Sequence, residues 1–145
     1  MAALSDNQAP AVVQAVTHFL PGDMKWSPEP ARPRDIVATA RVRGSGGMGI
    51  RTVQAGVLTD RLDRDLPKDH PAIVDFHKAQ PIRRLAAEPG ESPASLADRY
   101  ALTTDGVDTV VLRVKNRTEL SECPMSAKRG LLPENVMRRI DDLAG

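Results

Sequence analysis

Asp108-Thr-Val-Val-Leu-Arg-Val-Lys-Asn-Arg-Thr-Glu-Leu-Ser-Glu-Cys123 decides how this chain is read. A β-branched run breaks into a polar turn, and a helical pattern follows. A strand feeding a loop and a helix N-terminus is the junction at which α/β proteins hold the phosphate end of a ligand. The spacing predicts a strand over 109–114, and its near-continuous apolarity predicts burial on both faces. Asn116 or Thr118 can cap the helix that follows. Pro124 is expected to interrupt that helix, which resumes to Lys128 before Gly130 ends it. From Pro133 to Leu143, Val136, Ile140 and Leu143 stand at spacings of four and three, an amphipathic helix.

Upstream, Asp105-Gly106 is a turn, and Ser92-Pro93 is a helix start in which the hydroxyl caps free amides and proline takes the first helical position. Leu96, Tyr100 and Ala101 give that helix an apolar stripe. Ile73, Phe76, Ile82 and Leu85 make another helical face, which Pro81 should kink or divide in two. The stretch 61–70 alternates acids and bases and should face water. A strand is expected at 48–52, with Gly56 and Asp60 in the loop leaving it, and a short buried strand or a helical segment within 9–19. Residues 22–34, with prolines at 28, 30 and 33, read as loop. Gly44, Gly46 and Gly47 should loosen the backbone after an ordered segment at 35–43. Strands alternating with helices favour a parallel sheet covered by helices.

The 145 residues suffice for one domain with a real core. Apolar residues make up 41% and charged residues 27%, the balance of a soluble globular protein, so the expectation is a cytoplasmic chain without a secretory leader or membrane span. A net charge of +1 with interleaved signs argues against a nucleic-acid surface. Cys123 is the single cysteine, and without an identified base it reads as inert.

Arg113, Lys115, Asn116 and Arg117 follow the strand and could hold a phosphate or carboxylate; a solvated loop is the plainer reading. Arg51, Thr52 and Gln54 occupy the equivalent end of the preceding strand, where α/β proteins keep ligands. Glu119 and Glu122 share a helical face, which reads as solvated because no further carboxylate or histidine is fixed nearby. His18, His70 and His77 have no metal-ligand spacing and read as surface or satisfied histidines. The glycine run from Gly44 to Gly49 precedes a strand, the wrong order for a dinucleotide turn.

Four co-linear segments, Ser92-Pro-Ala-Ser-Leu-Ala-Asp-Arg-Tyr-Ala-Leu102, Gly106-Val-Asp-Thr-Val-Val-Leu112, Glu119-Leu-Ser-Glu122 and Gly130-Leu-Leu-Pro-Glu134, resemble the C-terminal portion of the aldo/keto reductase family. That family folds as an eight-stranded barrel and moves hydride between a nicotinamide cofactor and a carbonyl or alcohol. The resemblance spans about 47–145. It implies an incomplete TIM (β/α)8 barrel, the last two or three strands with their helices, preceded by a divergent, partly loop-like segment at 1–46 that holds a sixth-strand remnant. It also implies a cofactor, NADP(H) or NAD(H). Arg51 then falls near the nicotinamide, and Thr52, Val53, Gln54 and Gly56 fall around the phosphates. Arg113, Val114, Lys115 and Asn116 match the loop at the adenosine phosphate. Glu122 falls near the adenine with Cys123 in place of a usual asparagine. Glu119 stands where arginine often faces the ribose phosphate, and Gln14 resembles the glutamine beneath the nicotinamide ring.

The family's catalytic Asp, Tyr, Lys and His come from its first four strands, which this chain does not match. The resemblance therefore implies half a cofactor site, no catalytic residue, and a truncated relative inactive alone. Its partner would be a missing N-terminal half-barrel, or a second copy joined through exposed sheet edges. The alternative is a nucleotide- or protein-binding module without catalysis.

Overall fold

The structure, a computed structural model, describes residues 10–20 and 33–144. The prolines at 28 and 30 fall outside them. Three parallel strands, β1 (Val12–Val16), β2 (Gly46–Ile50) and β3 (Thr109–Val111), form one sheet in chain order. Gln14 pairs with Met48, and Met48 with Thr109. Helix α1 (Pro33–Val42) crosses from β1 to β2, as a parallel connection requires. Helices α2 (Pro71–Lys78), α3 (Gln80–Ala87) and α4 (Pro93–Thr103) lie between β2 and β3, and α5 (Arg117–Lys128) and α6 (Glu134–Ala144) follow β3. This is the α/β architecture of a partial (β/α) barrel.

Strand pleating puts Val13, Ala15, Gly47, Gly49 and Val110 on one face and Val12, Gln14, Val16, Met48, Ile50, Thr109 and Val111 on the other. Ala15, Gly47 and Gly49 are buried, whereas Val12 and Val111 are half-exposed at 52% and 49%. The apolar core lies outside the sheet, where α3, α4 and α6 close on Val57 and Leu58. Tyr100 is its largest fully buried side chain; Phe19 packs edge-on at 4.9 Å, and the phenol donates to Asp141 Oδ1 at 2.6 Å.

Several expectations fail in instructive ways. Gly46 and Gly47 do not loosen the backbone; they are strand residues. A Cβ on Gly47 would stand 1.7 Å from the Gly106 carbonyl oxygen, so only glycine lets β2 approach the turn before β3. Gly106, at φ +84°, in turn lies against the backbone of Val37 in α1. The strand expected over 109–114 stops at Val111 and is not buried on both faces; Thr109 and Val111 are exposed. The loop read through Arg34 ends sooner, because Pro33 opens α1, whose last turn reaches Val42. Pro124 does not interrupt α5. It removes one backbone donor, but Leu120, whose carbonyl loses that donor, is exposed and open to water.

Other local signals hold. Pro81 stands in the first turn of α3 and separates it from α2. Ser92 Oγ accepts from the Ser95 amide at 3.1 Å. Asn116, not Thr118, caps α5: its Oδ1 accepts from the Glu119 amide at 2.9 Å.

Candidate functional site

Because the strands are parallel, the segments leaving Ile50 and Val111 emerge at the same edge of the sheet. The first is tightly built. Arg51, Gln54 and Ala55 hold φ of 58°, 44° and 56°, and Gly56 follows at 97°. A left-handed non-glycine residue costs on the order of 1 kcal/mol, so three in one loop must be held by their surroundings. The restraints are visible. The Gln54 amide donates to Arg51 O and the Gly56 amide to Val53 O, both at 2.9 Å. Arg64 donates to Ala55 O at 2.7 Å. Arg83 reaches from α3 to donate to Val57 O (2.8 Å), Thr59 O (2.9 Å) and Phe76 O (2.7 Å), its guanidinium stacked 3.7 Å from the Phe76 ring. Burial holds the Arg83 guanidinium below its ordinary pKa.

Arg51 is exposed, but the side chains of the next residues turn inward. Thr52 is 2% exposed and donates to Asp98 Oδ1 of α4 at 2.7 Å. Gln54 Nε2 donates to Asp75 Oδ2 at 3.2 Å while its buried Oε1 has no partner. Val53 packs against the core. What this loop offers to solvent is the Arg51 side chain and backbone.

The segment after β3 is open. Arg113, Lys115, Asn116 and Arg117 are exposed, and Val114 is half-buried. Glu119 completes the cap of α5: its Oε2 accepts from the Lys115 amide at 2.8 Å and its Oε1 from Asn116 Nδ2 at 3.2 Å. Lys115 Nζ is also bound to Asp63, which joins the 61–70 stretch to this loop. That contact draws the Asp63 carboxyl below its usual range and raises the Lys115 ammonium.

Apart from Thr52, Val53 and Gln54, turned inward, and the half-buried Val114, the residues singled out from sequence fall into three groups. Arg51, Arg113, Lys115 and Asn116 are brought to one edge, each with an exposed side chain, and Gly56 lies behind Arg51 in the same loop. Glu119, Glu122 and Cys123 lie along α5; Glu122 is exposed, and Cys123 Sγ donates to Glu119 O at 3.2 Å, with burial raising the thiol's pKa. Gln14 stands in the middle of β1, exposed, on the face shared with Met48.

Two polar residues escape sequence reasoning. Asp98 is 7% exposed, and burial pushes its carboxyl up to about 6, against the hydrogen bond from Thr52. Leu96, Ala97, Tyr100 and Ala101 form an apolar stripe beside it on α4, and an acid next to such a stripe needs an interior partner. His18, just past β1, has a buried Nδ1 without a partner, and burial lowers its pKa, Asp75 opposing the shift. Nothing in its sequence neighbourhood marks it. His70 behaves as a local cap, its Nδ1 accepting from the Ala72 amide.

The exposed Arg51, Arg113 and Lys115 side chains can meet an anionic group in charge and donor type, whereas the N-terminus of α5 is already capped by Asn116 and Glu119. Thr52 and Gln54 fit only as supports, since their side-chain donors are already used inside. No helix among the described residues is long and apolar enough to cross a membrane, and no group of three His, Cys, Asp or Glu there could hold a metal ion.

The family model for the aldo/keto reductase family matches residues 2–144. No curated protein matches the sequence. Among solved structures, the glycerol dehydrogenase AKR11B4 from Gluconobacter oxydans is similar at 18% identity and a TM-score of 0.68, over 92% of this chain and 42% of that one. The chain therefore spans less than half the length of that structure.

Proposed function

Because the chain belongs to the aldo/keto reductase family, we propose that the edge formed by the loops after β2 and β3 binds a nicotinamide dinucleotide, and that the chain is the nucleotide-binding part of a cytoplasmic oxidoreductase of carbonyls or alcohols. The observation that carries this reading is the meeting of Arg51, Arg113 and Lys115, all exposed, at the carboxyl edge of two adjacent parallel strands. The nicotinamide would supply the hydride. Arg113 and Lys115 would hold phosphate oxygens, Asn116 would present the start of α5, and Arg51 would lie toward the other end of the ligand.

Glu119 bears on which dinucleotide is taken. Its carboxylate already occupies the N-terminus of α5, where a second negative group is repelled, so NAD(H) is preferred over NADP(H). The single tyrosine, Tyr100, is buried with its hydroxyl on Asp141 and is not placed to donate a proton to a ligand at this edge. The chain alone is therefore expected to bind without turnover.

Titration with NADH and with NADPH, followed by hydrogen exchange at 51–58 and 112–118, tests the reading. Saturable protection is expected, stronger with NADH, and Arg113→Ala should weaken binding about tenfold for one charge-assisted contact. Unchanged exchange with both nucleotides at millimolar concentration would overturn it.

A second reading rests on the sheet itself. Among the described residues β1 and β3 each pair on one side only, and the face bearing Val12 and Val111 is half-exposed. A parallel strand from a half-barrel partner, or from a second copy, would cover those edges. Sedimentation of the chain alone separates self-association from a single copy.

A further inference from the structure

We propose that Asp98 is a positioning residue that holds the loop after β2 in its binding shape through Thr52. The idea builds on the nucleotide-edge reading above, but its first test needs no nucleotide. Among the described residues Asp98 makes the one side-chain hydrogen bond from α4 to that loop: Thr52 Oγ1 donates to Asp98 Oδ1 at 2.7 Å, with Thr52 only 2% and Asp98 7% exposed. Thr52 directly follows Arg51 and stands two residues before Gln54, two of the left-handed residues whose conformation requires outside restraint. Pulling Thr52 inward fixes the loop's backbone and leaves Arg51 outside.

Helix α5 packs on α4. Glu122 of α5 acts on Asp98 by like-charge repulsion, and Asp98 acts in the same way on the Cys123 thiol. β3 carries no ionisable residue. On α3, Arg83 is committed to three carbonyl oxygens and Arg84 is exposed. On α4 itself, Arg99 is turned to Glu91 Oε2 at 2.8 Å. No cation therefore meets this carboxyl among the described residues, and its ionisation places an uncompensated charge between two helices and the loop.

The direction follows. Burial raises the folded-state pKa to about 6 from 3.8, so the folded packing is favoured by the proton. That stability is fully present below the unfolded value and is lost as the pH rises through the folded one. Opening of the 51–58 loop, corrected for intrinsic exchange, should therefore become about tenfold easier between about pH 5 and about pH 7, the change expected when a single carboxyl with these two pKa values ionises. His18 acts with the opposite sign, because its lowered pKa favours the neutral form and loosens the structure as the pH falls.

Hydrogen exchange of the full chain without nucleotide, across that pH range, decides the matter. The native chain should lose protection at 51–58 as the pH rises. Asp98→Asn keeps an acceptor for Thr52 but cannot ionise, so its protection should stay flat and high. Thr52→Val cuts the link, so protection at 51–58 should be low at every pH. A flat profile in the native chain, or protection at 51–58 in Thr52→Val equal to the native one, would overturn the proposal. NADH affinity, measured next, should follow loop protection. If protection varies with pH and no nucleotide binds, the nucleotide reading fails and the positioning role stands.

Discussion

The two loops at the carboxyl edge are built on opposite plans. The segment after β2 takes strained backbone and holds it from inside, through Arg83, Asp98 and Asp75, so its side chains serve the fold more than the surface. The segment after β3 has ordinary backbone, a helix cap and exposed charge, with Lys115 tied only to residues that are themselves partly exposed. One loop is positioned by burial and the other by its own local hydrogen bonds. Binding surfaces commonly need both: a fixed part that sets geometry and an open part that supplies charge.

The sharpest way to break this contrast is Arg83→Met. Removing three bonds to backbone carbonyls, part of them buried, should cost about 3 kcal/mol, read as a drop in the denaturant midpoint, with exchange at 57–60 rising most. If stability holds, the first loop is not held from α3. Thr52→Val comes next, at about 2 kcal/mol below pH 6, since a buried carboxyl loses its hydrogen bond; a loss below a few tenths would place the restraint elsewhere. Asn116→Ala in the second loop should cost about 1 kcal/mol, with fraying confined to the first turn of α5 by amide exchange. Lys115→Met should leave the melting temperature unchanged, because its ion pairs are exposed and screened, while reducing affinity for a dinucleotide. A marked loss of stability in that variant would mean that the second loop is braced as well.

What sequence reveals follows the same division. The second loop was legible because its capping devices are local: Asn116 lies three residues from the Glu119 amide that donates to it, and Arg113 and Lys115 come just before it. Pro81 and Ser92 act over similar distances and were readable for the same reason. The first loop depends on contacts far along the chain. Thr52 meets Asp98, and Gln54 meets Asp75, and no periodicity encodes those pairings. Thr52 and Gln54 look like ligand contacts from their position at a strand end, yet their side chains are spent inside. The length of β3 was misjudged because β-branched residues report strand propensity without reporting whether a neighbouring strand is present to pair with.

The contact between Gly47, Gly106 and Val37 has a consequence for how far the sequence could drift. At Gly47 and Gly106 the obstacle to any added carbon is main chain, which no companion substitution can trim. In a library of random variants selected only for folding, both positions should return glycine alone, whatever stands elsewhere. Gly44, Gly90 and Gly130 have open space around the missing side chain and positive φ, and there asparagine should appear beside glycine.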